Sequence, residues 1–415
     1  MKLMERARKY LFSTKRSEEL FDLRLELTSE VGRIRSTLLR WLADPAMRSR
    51  WLHVPRGPSG ATDTPLHRAC ELLDEALAPD LVPLVSPFLI EGSEEVRRAI
   101  ALLLGSIGSA ACVPPLHGLL RDQDPWVRLH CVMGLERARK AGRLEPACIG
   151  ALFAALATQL SQPLGAKGAV LLLLSIDQGK ALATFHDLGY FEPGSSALEP
   201  LLTAMNELGI LLPRAEVLSL LDKLEAEAHS QPGAAQGPAL QMLGGHRAHA
   251  DRRRLERLMV DGGALSVYAA RALMAWHGLT GLFDRIVAHE REVGFAGLSS
   301  GERMWAATEA LHAEINNGGL AQYFFNSWGD QWRVALAGLQ VMDDPERADI
   351  LQAALGRFGP DGPSEDREAR YEQLRRLHRK QDHPFRDLDD RYYAVRLPFE
   401  VATARWVIAN QQLFG

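Results

Sequence analysis

A chain of 415 residues is long enough for two or three domains, each with its own buried core. Apolar residues make up 47% and charged residues 24%, which is ordinary for globular proteins, so a largely disordered chain is not expected. The formal charge of −4 indicates neither a general affinity for nucleic acid nor a strongly acidic mimic of it.

Cysteines and apolar runs indicate the compartment. Cys70, Cys112, Cys131 and Cys148 include no CxxC pair, and metal sites usually need more closely paired ligands, so we expect buried thiols in a reducing cytoplasm. The N-terminus lacks the apolar segment of a signal peptide, and the most apolar run, AVLLLLSI at 169–176, is too short to span a bilayer. The sequence therefore predicts a cytoplasmic protein with no membrane partner.

Residues 1–53 are predicted to form an N-terminal helical segment. Spacings of three and four give one apolar stripe, which is typical of amphipathic helices: Leu20, Leu23, Leu27, Val31, Ile34 and Leu38. The first 50 residues hold 12 Lys/Arg against 7 Asp/Glu, an excess that we interpret as a solvated helix face. A Pro- and Gly-rich linker follows at 54–65.

Residues 65–292 are predicted to be helical repeats. SEEVRRAIALLLGSIG at 93–108 aligns with DPWVRLHCVMGLERA at 124–138 after a shift of 31 residues. The shift places Val96 on Val127, Ile100 on Cys131 and Leu104 on Leu135. A period near 30 built from helix pairs predicts a solenoid, since one pair cannot bury its apolar face alone.

The repeat motif resembles HEAT repeats, most clearly at Asp124-Pro-Trp-Val-Arg128. Asp124 is predicted to cap the helix and Pro125 to occupy its first turn. The resemblance implies that the arginines at this position, Arg97 and Arg128, bond along the stack. The rest of the region departs from the repeat pattern, so we expect an irregular solenoid.

The stretch EINNGGLAQYFFNSWGDQW at 314–332 begins a different pattern. Ser299 or Ser300 is predicted to cap a helix that ends near Ile315, and Asn317 with Gly318-Gly319 predicts a sharp turn. A short helix should follow, end at Asn326 to Gly329, and lead into a helix capped by Asp330. Asp344-Pro345-Glu346 is predicted to cap a further helix.

Several motifs in this region together resemble the family of the DNA-mimic protein DMP19. They are Asn316-Asn-Gly-Gly-x-x-Gln322-Tyr-Phe, Asn326-Ser-x-Gly-Asp330, Arg367-Glu-x-Arg370 and Leu388-Asp-x-x-Tyr392-Tyr. The resemblance covers roughly 298–414 and implies a compact all-helical domain, which we assign to 298–415. The predicted fold class is therefore all-α: an irregular HEAT-like α-solenoid followed by a DMP19-like domain.

The family's founding member binds a transcription factor by imitating DNA, but that activity needs a dense array of carboxylates. Residues 296–415 hold 14 Lys/Arg against 18 Asp/Glu, and their one tight acidic cluster is Asp387, Asp389 and Asp390. DNA mimicry is therefore kept as an alternative function.

Candidate binding residues are the polar and aromatic residues of the 314–332 stretch together with the acidic cluster. They are Asn316, Asn317, Gln322, Tyr323, Asn326, Trp328, Asp387, Asp389 and Asp390. Buried turn groups must also be hydrogen-bonded, so the amides are interpreted chiefly as determinants of the fold, with a binding surface as their second role.

No catalytic residue, metal ligand or cofactor is assigned. Glu309 and Glu314 flank His312, a pattern that a surface helix of mixed charge explains, and His246-x-x-His249-x-Asp251 lacks a third ligand at a recognised metal spacing. No phosphate loop, GxSxG elbow or HExxH motif is present.

The predicted function is that of a non-enzymatic protein that sequesters a partner protein. The expected partners are a toxin or nuclease, which would make the chain a bacterial immunity protein, or a DNA-binding regulator. A HEAT-like enzyme of the DNA-glycosylase type is the other alternative, with Trp126, Arg128 and Arg252 to Arg254 as its candidates. Residues 51–295 hold 22 Lys/Arg against 27 Asp/Glu, so direct nucleic-acid binding is not expected.

Overall fold

The computed structural model describes residues 2–13, 15, 20–53, 64–162, 164–227, 233–261 and 263–414. Helices dominate these residues, and no β-strand occurs among them, as the all-α prediction requires. The chain divides into two compact units, Met1–Ile210 and Leu211–Gly415. The predicted boundary near 292–298 lies inside the second unit, and most of the predicted linker lies outside the described residues.

The first unit begins with the predicted N-terminal helices and continues into helical repeats. Its helices are α1 Lys2–Leu11, α2 Phe21–Ser29, α3 Val31–Ala43, α4 Arg48–Leu52, α5 Pro65–Leu73, α6 Val82–Val85, α7 Phe88–Glu91, α8 Glu94–Ile107, α9 Val113–Leu119, α10 Pro125–Lys140, α11 Pro146–Ala157, α12 Ala166–Ile176, α13 Gln178–Asp187 and α14 Leu198–Glu207. The predicted stripe of 20–38 is divided between α2 and α3, and most of its residues are buried.

The two aligned repeat helices, α8 and α10, pack directly against each other. Their apolar positions are buried as the 31-residue shift predicts. Gly105 and Gly134 lie at the crossing, because a Cβ on Gly134 would come within 2.5 Å of the Leu102 carbonyl oxygen and 2.8 Å of the Gly105 Cα. Two glycines thus allow a backbone approach that no larger residue permits.

The repeat arginines bond to the loop residues beyond their own helices, as the HEAT resemblance implies. Arg97 donates two hydrogen bonds to the Asp122 carboxylate at 2.7 and 3.1 Å. Arg128 donates to the Gln162 side chain at 3.0 Å. Asp124 accepts from the Trp126 amide at 3.0 Å and from Arg98 at 2.6 Å, so the predicted cap is confirmed and also carries an ion pair.

The second unit contains α15 Arg214–Glu227, α16 Gln236–Gly245, α17 His249–Val260, α18 Ser266–Trp276, α19 Leu282–Val293, α20 Ser300–Phe325, α21 Trp332–Val341, α22 Pro345–Gly356, α23 Arg367–Lys380, α24 Arg386–Tyr393 and α25 Phe399–Ala409. Side chains of α20 to α25 share one apolar core, which includes Leu311, Leu320, Tyr323, Phe324, Leu351, Leu374, Phe385 and Phe399.

Two of three predicted helix caps in this unit are present in the structure. Ser299 forms a capping box with Glu302 at the start of α20, and Asp344 caps α22. The prediction for Asp330 was wrong: α21 begins at Trp332 with no side-chain cap, and the Asp330 carboxylate instead accepts a hydrogen bond from the buried Arg370. A buried guanidinium needs an anionic partner more strongly than a helix start needs a cap.

Within the part of the chain that is described, no helix is both long and apolar enough to cross a membrane.

Candidate functional site

The 314–332 stretch forms a kink within α20. Gly318 and Gly319 leave helical geometry, and Gly319 has φ of 81° and ψ of −179°, a conformation open essentially to glycine alone. The chain then resumes as a short helix, 320–325, which ends at Asn326. The predicted order of helix, turn and short helix is confirmed.

Two side chains from later helices fix the ends of this short helix. At its start, Asp389 of α24 accepts the Leu320 amide N–H at 2.8 Å. At its end, Arg370 of α23 donates to the Phe324 carbonyl at 2.7 Å and to the Asn326 carbonyl at 3.1 Å. Helices expose unpaired amides at one end and carbonyls at the other, and here long-range side chains satisfy both.

The amides of the stretch are bonded mainly to side chains. Gln322 and Asn326 both donate to one Glu314 carboxylate oxygen, at 2.7 and 2.8 Å. Asn316 bonds the His312 ring at 2.9 Å, whereas Asn317 is exposed. The Glu314 contacts tie the two sides of the kink together, which supports the interpretation of Gln322 and Asn326 as determinants of the fold.

The two predicted aromatic contacts lie in or against the core. Tyr323 is fully buried, and its hydroxyl oxygen finds no hydrogen-bond partner within the described residues. Trp328 is half-buried and packs edge to face on Phe295, with ring centroids 5.8 Å apart. Tyr323 therefore offers no surface to a partner, because the helices around it cover the ring.

The acidic cluster is divided among three environments. Asp387 is exposed and accepts a hydrogen bond from Arg357, which lowers the pKa of its carboxyl. Asp389 is half-buried against the kink, and burial raises the pKa of its carboxyl. Asp390 is exposed. Two of the three carboxylates thus serve internal contacts.

A surface groove separates the short helix from α23, and we call it the aromatic–basic groove. The short helix contributes Ala321, Gln322 and Phe325, and α23 contributes Tyr371, Leu374, Arg375, His378 and Arg379. The cavity measures about 780 Å³. A smaller pocket of about 270 Å³ adjoins it at Ala321 and His378, and is also lined by His383, Arg386 and Asp389.

Exposed aromatic rings form part of the groove. Phe325 is 47% exposed and Tyr371 is 39% exposed. Their centroids lie 5.5 Å apart with the rings at 63°, an edge-to-face pair. Arg367 lies over Phe325 and Arg375 over Tyr371, each with its guanidinium carbon 5.7 Å from the ring centroid. The groove therefore combines apolar surface with positive charge.

A second polar cluster lies at the edge of the C-terminal core, beside Tyr392 and Phe399. His312 stacks on Phe399 with centroids 4.3 Å apart and bonds the Tyr392 hydroxyl at 3.0 Å. Burial lowers the pKa of the His312 imidazole, and Arg347 acts in the same direction. Burial raises the pKa of Glu309 to about 7, with a further contribution from Glu400. Glu309 is half-buried, so the prediction of a solvated surface helix holds only in part for this residue.

Several of the remaining metal and nucleic-acid candidates are engaged in structural contacts, whereas Trp126 and Arg253 are exposed. His246 bonds the Leu212 carbonyl, and Asp251 pairs with Arg214 at 2.6 Å. Arg252 and Arg254 pair with Glu256 and Glu225. Among the residues that the structure describes, no group of three His, Cys, Asp or Glu side chains is placed to hold a metal ion.

Of the predicted binding residues, the structure places Gln322 in the groove and Asp389 in the pocket beside it. Phe325 and the groove residues of α23 were not among the predicted binding residues. A signal was present: Tyr371, Arg375, His378 and Arg379 follow the i, i+4, i+7, i+8 spacing of one helix face. That spacing does not reveal which part of the chain lies opposite this helix face.

Comparison with known families supports the two regions separately. Residues 296–410 match the family model of DMP19-like protein, and residues 67–161 match that of HEAT repeats. The chain thus contains HEAT repeats and a DMP19-like domain, as the sequence motifs predicted. Searches of curated proteins and of solved structures found no match.

Proposed function

We propose that this chain is a non-enzymatic protein that captures and sequesters a partner protein through the aromatic–basic groove. The observation that carries the proposal is the exposed Phe325–Tyr371 pair beside Arg375 and Arg379. Aromatic residues and arginine are the residue types most enriched among the few that dominate binding energy at protein interfaces.

Fixed walls support the same proposal. The short helix is held at one end by Asp389 and at the other by Arg370, and Leu374 anchors α23 in the core. A surface ordered before binding loses less conformational entropy when a partner arrives. The groove is therefore suited to specific capture.

The two helical regions fit a protein-interaction module. HEAT repeats stack into extended surfaces whose usual work is binding other proteins. We propose that the partner is a toxin or nuclease, with the chain as its bacterial immunity protein, or else a DNA-binding regulator.

The four free, buried cysteines support a cytoplasmic location.

Imitation of DNA is the weaker alternative. It would use the exposed carboxylates of the acidic cluster in place of phosphates. Asp387 is paired with Arg357, and Asp389 holds the kink, so the cluster provides few carboxylates for a basic partner.

An enzyme acting on nucleic acid would combine a basic groove with a carboxylate free to act on substrate. Asp389 is the carboxylate that lines the pocket beside the groove. One of its oxygens already accepts the Leu320 amide, and its carboxylate packs against Gly319. Its contacts favour a structural role, and we propose no catalytic residue.

Site-specific photo-crosslinking in cells that naturally express the protein tests the proposal. A photoreactive phenylalanine analogue is placed at Tyr371, at Phe325 or, as a control, at Phe283, an exposed aromatic of α19 that does not line the groove. We expect the two groove positions to give adducts with the same protein, absent at Phe283. No protein adduct from either groove position would overturn the proposal.

A further inference from the structure

We infer that the aromatic–basic groove binds an acidic peptide segment that inserts an apolar side chain between its walls. This inference rests on the proposed function, and names the chemistry of the partner segment that the groove would select.

The charge of the groove favours an anionic ligand. Its lining includes Arg375, His378 and Arg379, and the adjoining pocket adds His383 and Arg386. Asp389, the carboxylate in that pocket, is bonded to the Leu320 amide. Arginines of α23 and α24 thus bring positive charge to the opening, and carboxylates on a partner would complement it.

The arginines of the groove remain available to a ligand. Glu372 pairs with Arg375 at 3.0 Å and approaches Arg379 at 4.0 Å, but these guanidinium side chains are 57% and 70% exposed. Exposed ion pairs contribute little free energy, because water screens them. A partner carboxylate can therefore share or replace Glu372.

The helix dipole does not account for all of the positive charges along α23. Cations near the last turn of a helix are stabilised by its dipole, which accounts for Arg379 and Lys380. Arg375 lies in the middle of α23, on the same face as Tyr371. The helix dipole acts only near the helix ends, so it does not explain why Arg375 lies beside the exposed ring of Tyr371.

The apolar part of the groove favours a ligand with an apolar side chain. Phe325 and Tyr371 leave large fractions of their rings exposed, and Ala321 and Leu374 line the groove beside them. A Leu or Phe side chain lying against these groups would remove apolar surface from water on both partners. Charge alone would leave this part of the groove solvated.

The ring geometry favours a peptide over single-stranded nucleic acid. Bases bind such proteins by stacking on open aromatic faces. Here the two rings meet edge to face, and a guanidinium covers one face of each. No parallel pair of ring faces remains between them to hold a base, whereas an aliphatic side chain needs none.

The test selects peptides from a random 12-residue displayed library on the full-length protein. Two double variants with the same change of charge on the same helix are selected in parallel. R375E/R379E changes the groove, and R376E/K380E changes two exposed residues that do not line it. Thermal unfolding confirms that both variants are folded.

We expect peptides selected by the wild type and by R376E/K380E to be enriched in Asp and Glu, with at least one Leu, Phe or Tyr. Selected peptides should bind R375E/R379E at least about tenfold more weakly and R376E/K380E within about twofold. Tyr371→Ala should weaken binding by at least about fivefold, with Phe283→Ala as its control.

Other outcomes would overturn the inference. Peptides with no acidic excess, or equal losses in both double variants, would show that groove contacts do not select the ligand. Tighter binding of a single-stranded oligonucleotide would assign the groove to nucleic acid, and self-association abolished by R375E/R379E would assign it to a second copy.

Failure of the inference can be separated from failure of the proposed function. If the photo-crosslink at Tyr371 still captures a protein in the R375E/R379E background, the partner is not held by these charges and only the inference fails. If Tyr371 and Phe325 capture no protein in the wild type, the proposed function itself fails.

Discussion

The repeat helices α8 and α10 and the C-terminal helices α20 and α23 are all tied down by arginines, but in different ways. In the repeats, Arg97 and Arg128 make similar contacts 31 residues apart, each to a neighbouring loop. In the C-terminal region, Arg370 alone makes five hydrogen bonds, to two carbonyls of 324–326, two of 364–365 and the Asp330 carboxylate. Stability should therefore be distributed in the repeats and concentrated in the C-terminal region.

Arg370→Met should have the largest effect on stability. It removes a fully buried guanidinium and leaves several carbonyls without their donor, which should cost about 3 to 5 kcal/mol. Hydrogen exchange followed by mass spectrometry should show the amides of 320–331 exchanging more than about a hundredfold faster. Arg376→Met, at an exposed position of the same helix, is the control. Equal exchange in both variants would mean that Arg370 is not a centre of stability.

Glu309→Gln tests the polar part of the C-terminal core. The folded pKa of Glu309 is about 7 against an ordinary 4.5, so the wild type loses stability as pH rises from about 4.5 through 7. The loss is of the order of 3 kcal/mol above that range. Gln cannot ionise, so the variant should lie within about 1 kcal/mol of the wild type near pH 5 and clearly exceed it near pH 8.

The measurement for Glu309→Gln is the urea midpoint at which α20 loses exchange protection, at pH 5 and pH 8. Glu292→Gln, at an exposed position of α19, should show no such difference between the two pH values. A Glu309→Gln effect that is equal at both would contradict the assigned pKa, because only titration of Glu309 makes it depend on pH.

Gly134→Ala and Gly150→Ala test whether the close crossing of α8 and α10 requires glycine. A Cβ at Gly134 would meet the backbone of α8, which should cost about 1 to 3 kcal/mol. Gly150 lies exposed in α11 with nothing within 4 Å, so Ala should stabilise its helix by about 0.5 to 1 kcal/mol. Thermal unfolding midpoints should move in opposite directions, and a shift of the same sign would contradict the close crossing.

Asp124→Ala should have a small and local effect. It removes the cap of α10 and the Arg98 ion pair, a loss of about 1 kcal/mol. Faster exchange should be confined to the first turn of α10, because the neighbouring repeats keep their own contacts. Gln123→Ala, at the exposed preceding position, is the control. Opening that spread through the whole unit would contradict distributed stability.

Local patterns in the sequence were enough to predict the fold class, one helix pairing, several helix starts and the kink. Periodic apolar residues predicted the all-α class, the 31-residue shift predicted the pairing of α8 with α10, and Asp124, Ser299 and Asp344 marked helix starts. The Gly318-Gly319 pair marked the kink. The apolar period, the caps and the kink are readable because each depends on residues within one or two helical turns, and the 31-residue shift is readable because the same local pattern recurs.

Only the tertiary structure decided what the polar and charged residues do. Asp330 and Asp389 have the same side chain, yet one pairs with Arg370 and the other caps Leu320 from about 70 positions away. Tyr323 is buried while Phe325, two residues on, lines a groove with Tyr371. The physical reason is that burial and pairing depend on which helices pack together, and residues distant in sequence decide that packing.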